Sequence, residues 1–252
     1  MVDGIGNRSV AVAVAGAAVA VVGLAFLLTF FTIARDTRVS SSASSTEMGT
    51  EKGSRIVTAA IKDIQVEKIH GPGDAASVNI SSFWEHQPVV IHVLRRFGCQ
   101  LCRGNAVVMS RMLPQLEANN IRLVGIGIEK LGLEEFEEGR YWKGELYIDH
   151  GKKIHKALEL KSVSIVSALM MIFANKAVKD AAQKTKDTPG NFKGDGRQLG
   201  ATFVVGKGGE MLLDFRQRDF ADQPSTVSIL DALGLDTSDV KEERAAPAVC
   251  TD

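Results

Sequence analysis

Two cysteines stand in the stretch "RRFGCQLCRGN" (residues 95–105), which directly follows an apolar run. Cys99 and Cys102 are separated by two residues, a spacing found in redox-active dithiols and in zinc sites. Two cysteines can also simply fill a hydrophobic core. The whole chain holds only three cysteines, too few for the disulfide framework of a small secreted protein. The chemistry of this pair is therefore the first question that the sequence raises.

The neighbouring sequence predicts that Cys99 lies at the start of a helix. The run "VVIHVLRR" (89–96) is typical of a buried strand, and helical spacing follows from Gln100. Free N–H groups and the dipole at a helix start stabilise a thiolate, the reactive form of cysteine. We therefore predict Cys99 as the nucleophile and Cys102, one turn later, as the resolving thiol. Three arginines are predicted to tune the thiol pKa or to stabilise an oxyanion: Arg95, Arg96 and Arg103.

The zinc and core interpretations of the cysteine pair are less favourable. Zinc needs two further ligands, but the chain has no second C-x-x-C, and only His150 and His155 have a suitable spacing. The cysteine pair follows the end of a predicted strand, where side chains normally reach the surface. A role in filling the core would not explain this position. We therefore expect redox chemistry at Cys99 and Cys102 and no bound metal.

Three other residue types could carry chemistry, and each has a simpler explanation. His92 lies inside an apolar run, which favours a buried, hydrogen-bonded core residue over a catalytic base. Met170 and Met171 are predicted to fill a core. Cys250 stands two residues from the end of the chain and has no assigned role.

The composition is that of a globular protein without a strong charge bias. Of the 252 residues, 45% are hydrophobic and 24% charged, and the formal net charge is zero. A neutral chain has no overall field that attracts phosphates, so we predict that it does not bind nucleic acid.

The N-terminal part of the chain predicts a membrane anchor. Residues 10–34 form an apolar run without a charged side chain, long enough as a helix to cross a bilayer. A secretory signal peptide is the alternative, but its apolar region is usually shorter and ends in a small-residue cleavage site. We therefore predict an N-terminal tail at 1–9, a transmembrane helix at 10–34 and a serine-rich, flexible tether at 35–54.

The charges flanking the predicted anchor indicate its orientation. Arg8 precedes the anchor, whereas Arg35 and Arg38 follow it, so the positive-inside rule places the larger part in the cytosol by a small margin. The chain is thus predicted to be a single-pass membrane protein with a cytosolic catalytic domain. In an oxidising lumen the cysteine pair would instead rest as a disulfide.

Residues 55–236 are predicted to form one α/β domain, followed by a polar tail at 237–252. Strands are predicted at 63–69, 89–96, 121–128 and 144–149, with a hairpin at 201–217. Helices are predicted at 81–86, 100–119 with a kink at Pro114, 133–139, 152–160, 164–186 and 226–235. This alternation predicts a mixed central sheet with helices on both faces.

A strand, a C-x-x-C and a helix in this order resemble the thioredoxin-like superfamily. Within it, the stretches "LRRFGCQLCR" and "GNFKGDGRQLGATFVVGKGGEMLL" are similar to the peroxiredoxin-like family that includes the prostamide/prostaglandin F synthases. Further similarity lies in "IRLVGIGIEKLGLEEFEEGRYWKGELYID" and "ILDALGL", so the resemblance spans about residues 57–235. The chain departs from the superfamily at Gly200 and Ala201, where thioredoxins carry a cis-proline. It also carries "RRFG" where typical peroxiredoxins have a motif with proline and threonine.

The resemblance implies a thioredoxin-like fold and a thiol-dependent oxidoreductase. Its substrate would be a lipid endoperoxide, prostaglandin H or prostamide H, reduced to the F-type product. Cys99 and Cys102 fall on the family's catalytic pair and would cycle between dithiol and disulfide. No bound cofactor is expected, and NADPH would supply the electrons, directly or through thioredoxin.

Two alternatives to this function stay open from the sequence. The first is a general antioxidant of the peroxiredoxin-like type that acts on hydroperoxides. The second is a membrane-tethered protein without enzymatic activity that senses redox state or binds a partner.

Overall fold

A computed structural model describes residues 57–69 and 76–238. The predicted N-terminal tail, anchor and tether (1–54) lie outside the described residues, as does Cys250. Within the described residues, no helix combines the length and apolarity needed to cross a membrane.

A seven-stranded mixed sheet forms the centre of the domain, in the order β2-β1-β5-β4-β3-β6-β7. The central strands β3, β4 and β5 are parallel, and the outer strands pair antiparallel. The strands are β1 (Gln65–Lys68), β2 (Ser77–Asn79), β3 (Val89–Val93), β4 (Arg122–Gly127), β5 (Glu145–Ile148), β6 (Ala201–Val205) and β7 (Met211–Arg216). The predicted mixed sheet is confirmed.

From residue 76 onward, the described residues form seven α-helices and one 3₁₀ helix (Ile80–Phe83). The α-helices are α1 (Gln100–Ser110), α2 (Leu113–Ala118), α3 (Leu133–Glu138), α4 (Lys153–Ala157), α5 (Ile165–Ala174), α6 (Lys176–Lys184) and α7 (Thr226–Ala232). Residues 57–61 are also helical.

The strand β3 lies inside the sheet, between β4 and β6, and is buried at all five positions. Its side chains alternate between the two faces, as the pleat of a strand requires. Val89 and Ile91 pack into a core that includes Ile154 from α4, whereas Val90 packs with Met109 from α1. Helices therefore cover both faces, which explains why the sequence of β3 is apolar without interruption.

The predicted helix at 100–119 is two helices, not one kinked helix. The helix α1 ends at Ser110 and α2 begins at Leu113, with Pro114 in its first turn. Proline has no N–H to donate, so it fits the first turn of a helix, where that N–H has no partner, better than the interior.

The predicted helix at 164–186 is also broken, at Asn175. This residue has an extended backbone, with φ −77° and ψ 115°, and it ends α5. Its side-chain Oδ1 accepts hydrogen bonds from the N–H groups of Ala177 and Val178 at 2.9 and 3.4 Å, which caps α6. An N-cap asparagine is among the strongest helix start signals.

Two further predictions differ from the structure near the sheet edge. The short strand β2 was not predicted, because three residues with one partly buried side chain show no periodic pattern. The helix predicted at 81–86 is a 3₁₀ helix at Ile80–Phe83.

Met170 was expected in a core, but its side chain is 60% exposed on α5. Met171 is partly buried and packs against a small hydrophobic cluster. The prediction for Met170 is therefore wrong.

Candidate active site

Cys99 lies where the chain leaves the sheet and enters α1. It is the N-cap of α1, with φ −80° and ψ 125°, and its Sγ accepts a hydrogen bond from the N–H of Cys102 at 3.4 Å. Both cysteines are free thiols and are buried, with 5% and 6% exposure. The sulfur of Cys99 thus occupies the place of the side-chain oxygen in an ordinary helix cap, where backbone N–H groups and the helix dipole favour an anion.

The Cys99 sulfur also accepts a hydrogen bond from the buried Arg95. The Nη2 of Arg95 lies 2.6 Å from Sγ, and its Nη1 donates to the carbonyl oxygen of Gly196 at 3.1 Å. The guanidinium stacks over the ring of Phe220, 4.5 Å from the ring centroid. These contacts hold a positive charge directly against the sulfur and away from bulk water.

The two thiols have opposite pKa shifts. The hydrogen bond from the Cys102 thiol lowers the pKa of Cys99 well below its usual value, and the charges of Arg95 and Arg96 lower it further, against the effect of burial. The same hydrogen bond and burial raise the pKa of Cys102. The site therefore favours the thiolate at Cys99 and the protonated thiol at Cys102.

Arg96 and Arg103 make different contacts from those of Arg95. The Arg96 guanidinium lies 5.8 Å from the ring centroid of Phe192, and its Nε has no hydrogen-bond partner among the described residues. Arg103 donates to the carbonyl oxygens of Phe97 at 2.8 Å and Pro189 at 2.7 Å. Among the described residues, Arg95 is the one of these three arginines that donates a hydrogen bond to the sulfur of Cys99, and Arg103 instead fixes the backbone on either side of the site.

A distant segment, residues 182–191, holds the turn that carries the cysteines. We call residues 98–103 the cysteine turn. The Nε2 of Gln100 donates to the carbonyl oxygens of Thr185 at 2.7 Å and Ala182 at 3.0 Å. The N–H of Asn191 donates to the carbonyl oxygen of Gly98 at 2.6 Å. A β-carbon on Gly98 would lie 1.9 Å from Oδ1 of Asn191, so only glycine fits against this segment as it stands.

Sequence reasoning missed this segment. Gln100 and Asn191 lie in stretches that resemble the family, but nothing in the sequence indicated their contacts, which join residues about 85 to 93 positions apart. The one available signal was the apolar and helical pattern of residues 164–186, which predicted a helix but not its neighbour.

His92 is buried and hydrogen-bonded, as predicted. Its Nδ1 lies 2.9 Å from Oγ1 of Thr202, and Nδ2 of Asn105 lies 3.2 Å from its Nε2. In the neutral ring, Nδ1–H donates to Thr202 while Nε2 accepts from Asn105. Burial lowers the pKa of His92 to about 4, so the ring is neutral at physiological pH.

The two histidines considered as zinc ligands have other partners. His150 bonds to Glu67, and Nε2 of the buried His155 lies 3.1 Å from the carbonyl oxygen of Leu199. In the described part of the chain, no group of three or more histidine, cysteine, aspartate or glutamate residues is arranged to hold a metal ion. The site can therefore be described from its thiols and arginines alone.

A family model described as AhpC/TSA antioxidant enzyme matches residues 108–219. The match begins after the cysteine pair, so it concerns the scaffold that surrounds the site. It includes β4 to β7 and the segment at 182–191 that holds the cysteine turn.

Curated relatives are similar over most of their own length. The prostamide/prostaglandin F synthase of Danio rerio is 43% identical over 164 residues, which is 63% of this chain and 80% of that protein. The protein of the same name from Xenopus tropicalis is 40% identical over 69% of this chain and 89% of its own length. The Homo sapiens protein is 40% identical over 63% of this chain and 81% of its own length.

Among solved structures, the reduced 2-Cys peroxiredoxin of Plasmodium vivax aligns with a TM-score of 0.46 and 14% identity. The alignment covers 68% of this chain and 89% of that one. This similarity is too remote to bear on the chemistry.

Proposed function

The chain belongs to the peroxiredoxin-like family that includes the prostamide/prostaglandin F synthases, and from this premise we propose that it reduces a lipid endoperoxide to the F-type diol. The family relationship makes the chain an oxidoreductase. The substrate, prostaglandin H or prostamide H, is the proposal. One observation supports it most: Cys99 accepts a hydrogen bond from Arg95 and lies beside the protonated thiol of Cys102.

The first step is attack of the Cys99 thiolate on one oxygen of the endoperoxide. A sulfur–oxygen bond forms, the O–O bond breaks, and the other oxygen leaves as an alkoxide that takes up a proton. The guanidinium of Arg95 stabilises the thiolate before the attack. The N–H groups at the start of α1 are positioned to stabilise the negative charge that develops on oxygen.

The second step uses Cys102. Its sulfur attacks the Cys99 sulfur, a disulfide forms, and the sulfur–oxygen bond breaks to release the second alkoxide, which is protonated to complete the diol. The two thiols are thereby oxidised by two electrons and the O–O bond is reduced by two. Because the pKa of Cys102 is raised, this thiol stays protonated until Cys99 has reacted.

A reductant must return the disulfide to the dithiol. We propose NADPH as the electron source, acting directly or through thioredoxin. No bound cofactor is needed for either of the two steps above.

The proposed location is the cytosolic face of a membrane, with residues 10–34 as the anchor. Introducing a glycosylation acceptor site into the tether at 35–54 tests this placement in cells. A glycosylated tether would put the domain in the lumen and contradict the proposal.

The test of the reaction is a single-turnover experiment. The reduced protein receives one equivalent of prostaglandin H endoperoxide, is alkylated, and its peptides are weighed by mass spectrometry. We expect a Cys99–Cys102 disulfide and an equal amount of F-type diol. In Cys102→Ser, Cys99 should still react once with the endoperoxide. Cys99→Ser should leave the endoperoxide intact. Two alkylated thiols beside unreacted endoperoxide in the wild-type protein would reject the proposal.

A hydroperoxide is the second candidate substrate, because both thiols are almost fully buried and a small molecule reaches them more easily. The same experiment with hydrogen peroxide and with a fatty-acid hydroperoxide separates the two. Faster disulfide formation with either of them than with the endoperoxide would favour the antioxidant function.

A further inference from the structure

The large apolar side chains that are exposed to solvent are concentrated around the cysteine turn. Nine such side chains stand out among the described residues. Eight of them lie on three segments: Leu131, Phe192 and, in α5, Ile165, Val166, Leu169, Met170, Ile172 and Phe173. Only Leu212, on β7, lies on none of these segments. An apolar surface of this extent on a single domain normally serves an interaction.

Each of the three segments is attached to the cysteine turn. The inner side of α5, through Met171, packs in the same hydrophobic cluster as Leu101, which stands between the two cysteines. Gly132, next to Leu131, lies against the backbone of Gly98. A β-carbon added to Gly132 would be only 3.0 Å from the nitrogen of Gly98. The neighbour of Phe192 is Asn191, which bonds to Gly98. The three segments that carry the exposed apolar side chains therefore border the cysteine turn, and we call these segments the rim.

The outer side of α5 is the largest part of this rim. At 100° per residue, its six exposed side chains cover an arc of about 160° around the helix. No residue from 162 to 175 is charged, so no polar border interrupts the arc. Val166 and Phe173, with 71% and 69% exposure, are the most exposed side chains of α5.

Positive charge flanks the apolar arc. Lys161 and Lys176 stand on either side of α5 and are exposed. The segment 161–187 carries five lysines against two aspartates, all of them exposed, although Lys176 is paired with Asp180. Lysines beside an apolar surface can extend to lipid phosphates while their aliphatic parts stay in the apolar layer.

We propose that the outer side of α5 lies in the surface of a lipid bilayer containing anionic lipids, with the cysteine turn held behind α5 and close to that surface. A helix of ten residues spans about 15 Å, half the thickness of the hydrocarbon core, so α5 can enter the surface but cannot cross it. A broad arc without charge fits the headgroup boundary, where one side of a helix is surrounded by acyl chains. This docking does not depend on the proposed reaction, but together with that reaction it would bring the site close to a lipid endoperoxide dissolved in the bilayer.

The test uses the full chain and lipids that carry a photoactivatable diazirine in the acyl chain. The protein is mixed with vesicles of phosphatidylcholine and phosphatidylserine, illuminated, digested, and searched for lipid adducts by mass spectrometry. We expect adducts on the peptide that contains α5. The double variant Met170→Glu and Phe173→Glu should lower their yield about tenfold or more, since two exposed apolar side chains become charged.

The matched control is Leu212→Glu, which places the same charge at an exposed apolar position outside the rim. Its adduct yield on α5 should equal that of the wild type. Unchanged thermal melting of all three proteins shows that the glutamates act at the surface, because all three positions are exposed.

Three results would overturn the proposal. One is the absence of adducts on α5, and another is an equal yield from the double glutamate variant. The third is a wild-type dimer that the double variant converts to a monomer, without lipid adducts, since α5 would then bind a second copy of the chain. A failure of the proposed reaction looks different, because adducts on α5 would still form while the endoperoxide stayed intact.

Discussion

The Nη2 of Arg95 lies 2.6 Å from the Sγ of Cys99, only four residues further along the chain. Arg95 follows β3 and Cys99 starts α1, so the bend between them brings the guanidinium back over the sulfur. The positive charge is buried with the thiol, where water screens it little. Arg95 is therefore, beside Cys102, a residue through which the reactivity of Cys99 can be changed.

Replacing Arg95 tests this relationship. In Arg95→Met the positive charge is lost, the pKa of Cys99 should rise, and alkylation by iodoacetamide at neutral pH should slow about tenfold. Arg95→Lys should be intermediate, because a lysine keeps the charge but not the planar fork. The measurement is the alkylation rate of Cys99 as a function of pH. Arg218→Gln, which removes a charge from an exposed ion pair, is the control. Identical pH profiles for Arg95→Met and wild type would contradict the assignment.

Cys102 is predicted to act on Cys99 before any oxidation takes place. Its thiol donates a hydrogen bond that lowers the pKa of Cys99. Cys102→Ala removes this donor and should shift the alkylation profile of Cys99 to higher pH. Cys102→Ser keeps a hydroxyl donor of similar size and should shift it less. Equal shifts in the two variants would mean that the hydrogen bond has no part in the effect.

Gln100 is predicted to hold the cysteine turn against the end of α6. Gln100→Ala leaves the carbonyl oxygens of Ala182 and Thr185 without this donor and should lower the free energy of unfolding by about 1–2 kcal/mol. The cysteines should also react faster with a bulky aromatic disulfide. Denaturant unfolding and the disulfide-exchange rate measure the two effects. Gln183→Ala, at an exposed glutamine of α6, should change neither.

The buried His92 predicts a loss of stability in mild acid. Its pKa is about 4 in the folded protein against about 6.5 in an unfolded chain, because burial disfavours the charged ring. Below pH 6.5 the unfolded chain therefore binds a proton that the folded protein does not, and stability falls as the pH drops toward 4. For this group alone the loss reaches about 3 kcal/mol at pH 4.

Denaturant unfolding between pH 7 and pH 4 measures this dependence. His92→Gln should show a shallower decline than the wild type, whereas His86→Gln, at an exposed histidine, should follow the wild-type curve. A part of the decline will remain in His92→Gln, because burial also lowers the pKa of His155 to about 4. The same slope in His92→Gln and wild type would show that His92 is protonated at its ordinary pKa in the folded protein.

The strands of the sheet were predicted well where burial on both faces requires an uninterrupted run of apolar residues. The β-branched run that became β3 is buried on both faces, and no polar side chain except His92 had to be explained. The hairpin of β6 and β7 was marked by its glycine-rich turn. Asn175 was harder to recognise as a boundary, because one polar residue in a long helical pattern is common.

The sequence predicted which residues form the site but not how they are arranged in space. The sequence predicted that Arg95, Arg96 and Arg103 act on the thiol, and in the structure Arg95 makes the hydrogen bond to Cys99. The contacts of Arg103 with Pro189 and of Gln100 with Thr185 follow from tertiary packing across long loops, which no local pattern encodes. In α5 nearly every residue is apolar, so periodicity could not tell the buried side from the exposed one.

The close approach of Gly98 to Asn191 has a consequence for the evolution of this chain. A β-carbon at position 98 would overlap the amide of Asn191, so a larger residue at 98 requires a smaller or displaced one at 191. The two positions should therefore covary among homologous sequences although 93 residues apart. Homologues that combine a larger residue at 98 with an unchanged asparagine at 191 would contradict this close approach.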